Sequence, residues 1–176
     1  MPTLAVPDVR FHTSFLAAMA EFADEGRTGD GTMVGNDLED YGHTWGTPSG
    51  FASYVGVLLR DVEVPRREGW VCCTSLWWVE GDEYLGRIAV RHTLDNEFLR
   101  EVGGHIGYDV RRSARRRGHA TAMLRAVLPV ARDLGIEQAL VSCDTDNVAS
   151  RRAIEANGGV PDGERQGKYR FWVPTG

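Results

Sequence analysis

The chain has 176 residues, 42% of them hydrophobic and 26% charged, with a formal net charge of −5. That length suffices for one domain with a substantial core. The acidic balance argues against nucleic acid as a partner, since a phosphate backbone calls for a basic face, and no apolar run approaches the roughly 20 residues of a membrane span. Nothing near the start reads as a secretion signal, so a cytoplasmic protein is expected. The adjacent Cys72 and Cys73 would point to opposite faces of a strand, and Cys143 stands far off in sequence. Reduced thiols and no metal site are expected.

Residues 9–24 place Phe11, Phe15, Ala18, Met19 and Phe22 on one helical stripe, with Asp8 as a cap. Residues 25–46 hold glycines at 26, 29, 31 and 35 among Asp, Asn and Thr, and read as a long loop. Within it, Asn36-Asp37-Leu38-Glu39-Asp40-Tyr41 sets three carboxylates beside Tyr41 and Trp45. Either this run folds over a site and favours a cationic ligand, or it is a polar surface loop whose aromatics pack on the domain. Helical spacing returns over 48–61 (Phe51, Tyr54, Val55, Leu58, Leu59), capped by Thr47 with Pro48 in the first turn.

Strand signals follow. Residues 71–79 are rich in β-formers, Gly81-Asp82 marks a turn, and 84–93 returns. Trp77 and Trp78 must face opposite ways, one into the core and the other onto a surface or interface. A loop at 94–102 and a strand at 105–110 complete an antiparallel meander. Residue numbers summing to about 196–197 would pair across that loop, which sets His92 near His105.

The period then changes to a helix over 117–134, a strand over 137–143, a helix over 147–157, and short strands near 160–164 and 168–173. Pro129 should kink the first of these helices or mark a local break, and Gly135 should end it. The strand–helix–strand crossover implies parallel pairing of 105–110 with 137–143 through a right-handed connection. A ligand is expected at the carboxyl ends of those strands. The expected fold is therefore α/β (α+β), a mixed central sheet flanked by helices, in one domain over residues 1–176.

Residues 110–125 carry the most chemistry. A helix start leaves N–H groups unpaired and bears the positive end of the macrodipole, so it binds anions. Gly118 and the small Ala120 let a phosphate approach the main chain, and Arg115, Arg116 and Arg117 add charge. The alternative is a solvated basic face. No Gly-Lys-Ser/Thr loop or three-glycine dinucleotide fingerprint is present.

The spacing Arg115-x-x-Gly118-x-Ala120 resembles the R/Q-x-x-G-x-G/A motif of the GNAT superfamily of N-acetyltransferases. A second segment, Asp146-Asn147-Val148-Ala149-Ser150-Arg151 through Glu155-Ala156-Asn157-Gly158-Gly159, resembles the family's Asn-x-x-Ser helix, and 25–45 is similar to a subgroup of predicted acetyltransferases. The resemblance covers roughly residues 70–173. It implies the GNAT fold, with a splayed pair of parallel strands after the meander. It also implies an N-acetyltransferase that moves an acetyl group from acetyl-CoA, as co-substrate, to an amine of a small molecule or peptide by direct attack on the thioester. Backbone groups of Tyr108, Asp109 and Val110 would hold the pantetheine arm and acetyl carbonyl. Main-chain amides of Arg116, Arg117, Gly118, His119, Ala120 and Thr121 would hold the diphosphate beside Arg115. Asn147 would touch the arm or an ordered water, with Ser150 and Arg151 close by, although Asn147 and Ser150 also suit helix capping.

Two positions depart from the family pattern. Seven residues after Asn147, where many members carry an acidic tyrosine, stands Ile154. Either the thiolate leaves unaided or another group such as Tyr169 protonates it. Where some members carry a basic glutamate stands Gly104. His105, with a reference pKa near 6.5, and Glu101 are the nearby bases, or a water chain serves; a purely structural His92–His105 pair is equally open. With acid and base unsettled, a non-catalytic acyl-CoA-binding sensor on a GNAT scaffold is the alternative. Expected partners are acetyl-CoA and an amine, no nucleic acid, membrane or metal, in a monomer or homodimer.

Overall fold

The computed structural model describes residues 1–176. A seven-stranded sheet in the order β1-β2-β3-β4-β5-β7-β6 divides the molecule. Its strands are β1 (Thr3–Ala5), β2 (Cys73–Glu80), β3 (Glu83–Arg91), β4 (Ile106–Val110), β5 (Gln138–Asp144), β6 (Val160–Arg165) and β7 (Lys168–Pro174). Helices α1 (His12–Asp24), α2 (Met33–Tyr41) and α3 (Pro48–Arg60) build one apolar cluster, and α4 (His119–Asp133) and α5 (Val148–Glu155) build another. The meander is antiparallel, β4 and β5 are parallel, and β5, β7 and β6 are antiparallel again. This is the mixed sheet and flanking helices expected from the residue pattern.

Local sequence explains most boundaries. Asp8 accepts from the Arg10 N–H at 2.8 Å and caps a short 3-10 turn ahead of α1. Thr47 Oγ1 accepts from the Gly50 N–H at 3.1 Å, with Pro48 opening α3. Phe11 of the 3-10 turn and Phe15, Ala18, Met19 and Phe22 of α1 are buried in one cluster with Trp77 of β2, and Phe15 stacks on Trp77 at 5.4 Å. Trp78 enters the other cluster, and its Nε1 donates to His119 Nδ1 at 3.2 Å. Both tryptophans are thus buried, at 0% and 5% exposure. Helices cover both faces of β2, so neither ring is left for a surface.

Other expectations are corrected. Residues 25–46 are not one loop: Thr32 caps the nine-residue α2 by accepting from the Gly35 N–H. A π-turn at Leu99–Gly103 interrupts the 94–102 loop, and β1 adds an edge strand at the chain start. Pro129 does not break α4, which runs through it. Pro129 is exposed, so the carbonyl it leaves without a donor stays near water. The pairing sum is 196, as in Val90↔Ile106. At that register Arg91, not His92, pairs with His105, and the two histidines do not meet.

Candidate active site

Past Ile106↔Val141, their one bridging pair, β4 and β5 diverge. A cleft of about 460 Å³ opens there, lined by Tyr108 and Asp109 of β4, Cys143 and Asp144 of β5, and Asn147 and Ser150 at the start of α5. Its other wall comes from Arg27, Asp30, Met33, Asn36, Trp70, Arg91 and Phe98, among others. Loops after two parallel strands that part company make a natural crevice.

The α5 end of the cleft is tightly bonded. Asn147 Oδ1 accepts from the Ser150 N–H at 3.0 Å, which caps the helix. The Tyr108 hydroxyl lies 2.7 Å from Ser150 Oγ and donates to the Ser150 carbonyl at 3.3 Å. Burial pushes the Tyr108 pKa up to about 12, so the hydroxyl keeps its proton at neutral pH. Burial also pushes the Cys143 thiol up. Ile154 is fully buried in the core and offers no chemistry to the cleft. Tyr169 is not among the cleft-lining residues; its ring receives the Arg151 guanidinium at 5.3 Å, and Arg151 also pairs with Glu155. Replacing Asn147 by Ala should cost about 1 kcal/mol as a lost cap, read as a shift in a urea titration.

The loop after β4 leads into an uncapped helix start. It turns through a short 3-10 segment, Arg112–Ala114, then places Arg116 (φ 63°) and Gly118 (φ 79°) in the left-handed region. No side chain caps α4 at Gly118, so the N–H groups of its first turn are free. A Cβ at Gly118 would meet nothing within 4 Å, so the space before those groups is open. Arg116 and Arg117 are exposed. The Arg115 side chain is committed elsewhere: it donates to both Glu25 carboxylate oxygens, at 2.5 and 2.8 Å, and to the Val110 carbonyl at 2.9 Å. Arg111 and Ser113 both bond Glu21. Burial would raise the Glu21 pKa, but the bonds from Arg111 and Ser113 outweigh it and bring it down to about 2. Glu21 of α1 and Glu25 just past its end therefore brace the loop. Val110, residues 115–121 and Arg151 lie outside the cleft lining.

The sequence-derived bases are not gathered here. His105 is buried away from the cleft lining, and its Nδ1 accepts from the Leu140 N–H at 2.9 Å. Burial and the Arg91 charge lower its pKa to about 4. Between pH 6.5 and 4 the unfolded chain therefore binds a proton that the folded chain refuses, so stability should fall as pH drops through that window. Melting curves at pH 7 and 5, with imidazole NMR titration, check this. His92 faces Thr74 Oγ1 at 2.8 Å, and Glu101 pairs with Arg165 at 2.6 Å. Gly104 sits at φ 65°, where a Cβ would come within 2.4 Å of the Leu140 carbonyl oxygen. No glutamate fits there, which accounts for the departure from the family pattern.

The acidic run does not face the cleft either. Asp37 is buried, accepting from Tyr54 (2.7 Å), Arg87 (2.6 Å) and Arg66 (2.9 Å). Asp40 bonds Arg67, and of the run Asn36-Tyr41 only Asn36 lines the cleft. Tyr41 and Trp45 pack around Tyr54. What composition did not mark are the far-wall residues Arg27, Asp61, Arg66, Trp70, Arg91 and Phe98. They come from loops and strand ends without motif spacing. Arg27 bonds Asp109 of β4 at 2.9 Å and Thr32 at 3.0 Å, tying the wall to the strand. No group of three or more His, Cys, Asp or Glu side chains is placed to hold a metal ion, and no helix is long and apolar enough to cross a membrane.

A family model described as "Acetyltransferase (GNAT) domain" matches residues 36–160. No curated protein sequence matches the chain. Solved structures do. One is the microcin C7 self immunity acetyltransferase MccE in complex with acetyl-CoA and AMP, at 12% identity, 98% of this chain and 92% of that one, TM-score 0.66. Mycobacterium smegmatis RimJ in complex with CoA-disulfide matches at 15% identity, 98% and 81% coverage, TM-score 0.67. RimL, a ribosomal L7/L12 alpha-N-protein acetyltransferase in complex with coenzyme A, matches at 15% identity, 98% and 93% coverage, TM-score 0.62. At such identities the likeness is one of fold.

Proposed function

Because the chain belongs to the GNAT acetyltransferase family, we propose that it transfers an acetyl group from acetyl-CoA to an amine by direct attack on the thioester. The observation that carries this reading is the uncapped, open start of α4 directly after a strand that splays from its parallel neighbour. The free N–H groups of α4 would take the diphosphate, and the exposed Arg116 and Arg117 would add charge. Main-chain groups of Tyr108 and Asp109 would pair with the pantetheine arm in the gap, as a strand would. The co-crystallised acetyl-CoA and coenzyme A of MccE and RimL support that occupant.

In this reading the amine nitrogen bonds to the acetyl carbon while the carbon–sulfur bond breaks. The nitrogen's proton leaves through water, since no histidine or free glutamate lines the cleft. The bonded hydroxyls of Tyr108 and Ser150, which line the cleft, would donate to the departing sulfur. A thiol ordinarily ionises near pH 8.5, so a hydrogen bond there is enough help. Asn147 holds Ser150 in place through the helix cap. The test is release of free thiol from acetyl-CoA with a panel of amines, alongside the melting temperature with coenzyme A. Turnover with any amine supports transfer. A raised melting temperature with no thiol released across a broad panel would favour the sensor reading, and no binding at all would end both.

A further inference from the structure

Arg91, the last residue of β3, lines the cleft and has no counter-ion. It enters no ion pair. Nη1 donates to the carbonyls of Gly103 and Gly104, each at 3.1 Å. The donors on Nε and Nη2 find no protein acceptor and are not sealed from solvent.

The acids around it are already committed. Asp37 serves Arg87 and Arg66. Asp61 lies 2.9 Å from Arg66 Nε, though out of line for a hydrogen bond. Asp30 and Asp109 both serve Arg27. The cationic set Arg66, Arg87 and Arg91 therefore outnumbers Asp37 and Asp61, and Arg91 is the one left over. Burial lowers its pKa, and so do the like charges of Arg87 and Arg66. A half-buried guanidinium with two groups open to the cleft and no counter-ion is a ready partner for an anion. Its planar fork matches a carboxylate in a two-bonded fit.

Its place narrows the ligand. A Cβ on Gly107 of β4 would lie 3.7 Å from Arg91 Nη1. Gly107 directly precedes Tyr108, along which the thioester arm runs in the reading above. In that reading the guanidinium would border the stretch of β4 beside the thioester, on the cleft wall left to an acceptor. We propose that Arg91 binds a carboxylate of the acceptor, which makes the acceptor an amino acid or a similar amine with its carboxylate a few bonds from the nitrogen. This rests on the acetyltransferase reading. The acceptor nitrogen gains the acetyl group and loses a proton to solvent; the coenzyme leaves as thiolate and takes up a proton.

The experiment measures thiol release from acetyl-CoA with the twenty common amino acids and, in parallel, their carboxamides. At least one acid should exceed its amide in kcat/KM by about 10- to 100-fold, the worth of hydrogen bonds to a charged group. Arg91→Met should erase that preference while acetyl-CoA affinity, measured by calorimetry, stays the same. It removes an unpaired charge at similar volume, so the fold should survive, and a melting curve verifies it. Arg91→Lys keeps charge but loses the fork, and should retain part of the preference. Amides equal to their acids, a preference that survives Arg91→Met, or no activity with any acid overturns the assignment. Turnover confined to carboxylate-free amines overturns it and leaves acetyl transfer standing, whereas failure to bind acetyl-CoA removes both.

Discussion

Gly118→Val is expected to weaken coenzyme A binding by about 10- to 100-fold while the helices and sheet remain folded. The residue sits at φ 79°, where a β-branched side chain costs on the order of 1–3 kcal/mol. No neighbour clashes, because a Cβ there meets nothing within 4 Å. The loop can relax only by turning the peptide, which re-aims the N–H groups at the start of α4. Each such bond to a charged group is worth about 1.5–3 kcal/mol. Calorimetry on the variant, paired with circular dichroism, separates the two effects. Unchanged affinity in a folded variant would detach this loop from the coenzyme.

Asp37→Ala should be the most damaging change to stability, at about 3–5 kcal/mol. The carboxylate receives Tyr54, Arg87 and Arg66 inside the helical cluster, and Arg87 is 1% exposed with two further nitrogens already unpartnered. Removing the acid leaves Arg87 with no counter-ion. Burial alone would raise the Asp37 pKa, yet the charges of Arg87 and Arg66 hold it below 3.8. A depressed carboxylate stabilises above its unfolded pKa, and this share is lost as pH falls through the folded value. Wild-type urea midpoints should therefore drop below about pH 4, and the variant's should drop less. A variant as stable as the parent at pH 7 would show that the network contributes nothing.

The sequence revealed what repeats or is conformationally forced, and missed what depends on charge pairing at a distance. Gly118 and its flanking arginines were readable because a residue without a side chain and added positive charge at a helix start make room for an anion. The crossover to β5 was readable because a parallel neighbour needs one. Helix α2 was not, since its capping Thr32 sits among glycines and aspartates typical of loops, and nine residues give barely two turns of period. The fate of the three acids in the 36–41 run was equally hidden. Asp37 turns inward only because Arg87, fifty residues later, waits beneath it. Arg115 looked like a phosphate ligand, and no local pattern could show that Glu25, just past α1, already holds it. The histidine pair failed by one residue of register, enough to turn His92 toward Thr74. Arg91, alone among its charged neighbours, becomes notable only once every other partner has been counted.

The single rung between β4 and β5 has a wider consequence. Beyond it, the inner margins of both strands hold main-chain groups that a closed sheet would have paired. An extended guest lying there becomes a missing strand, so holding it and holding the sheet together draw on the same bonds. By mass action, heat tolerance then rises with the guest's concentration. A guest that fills this gap would tie the durability of the fold to its own supply.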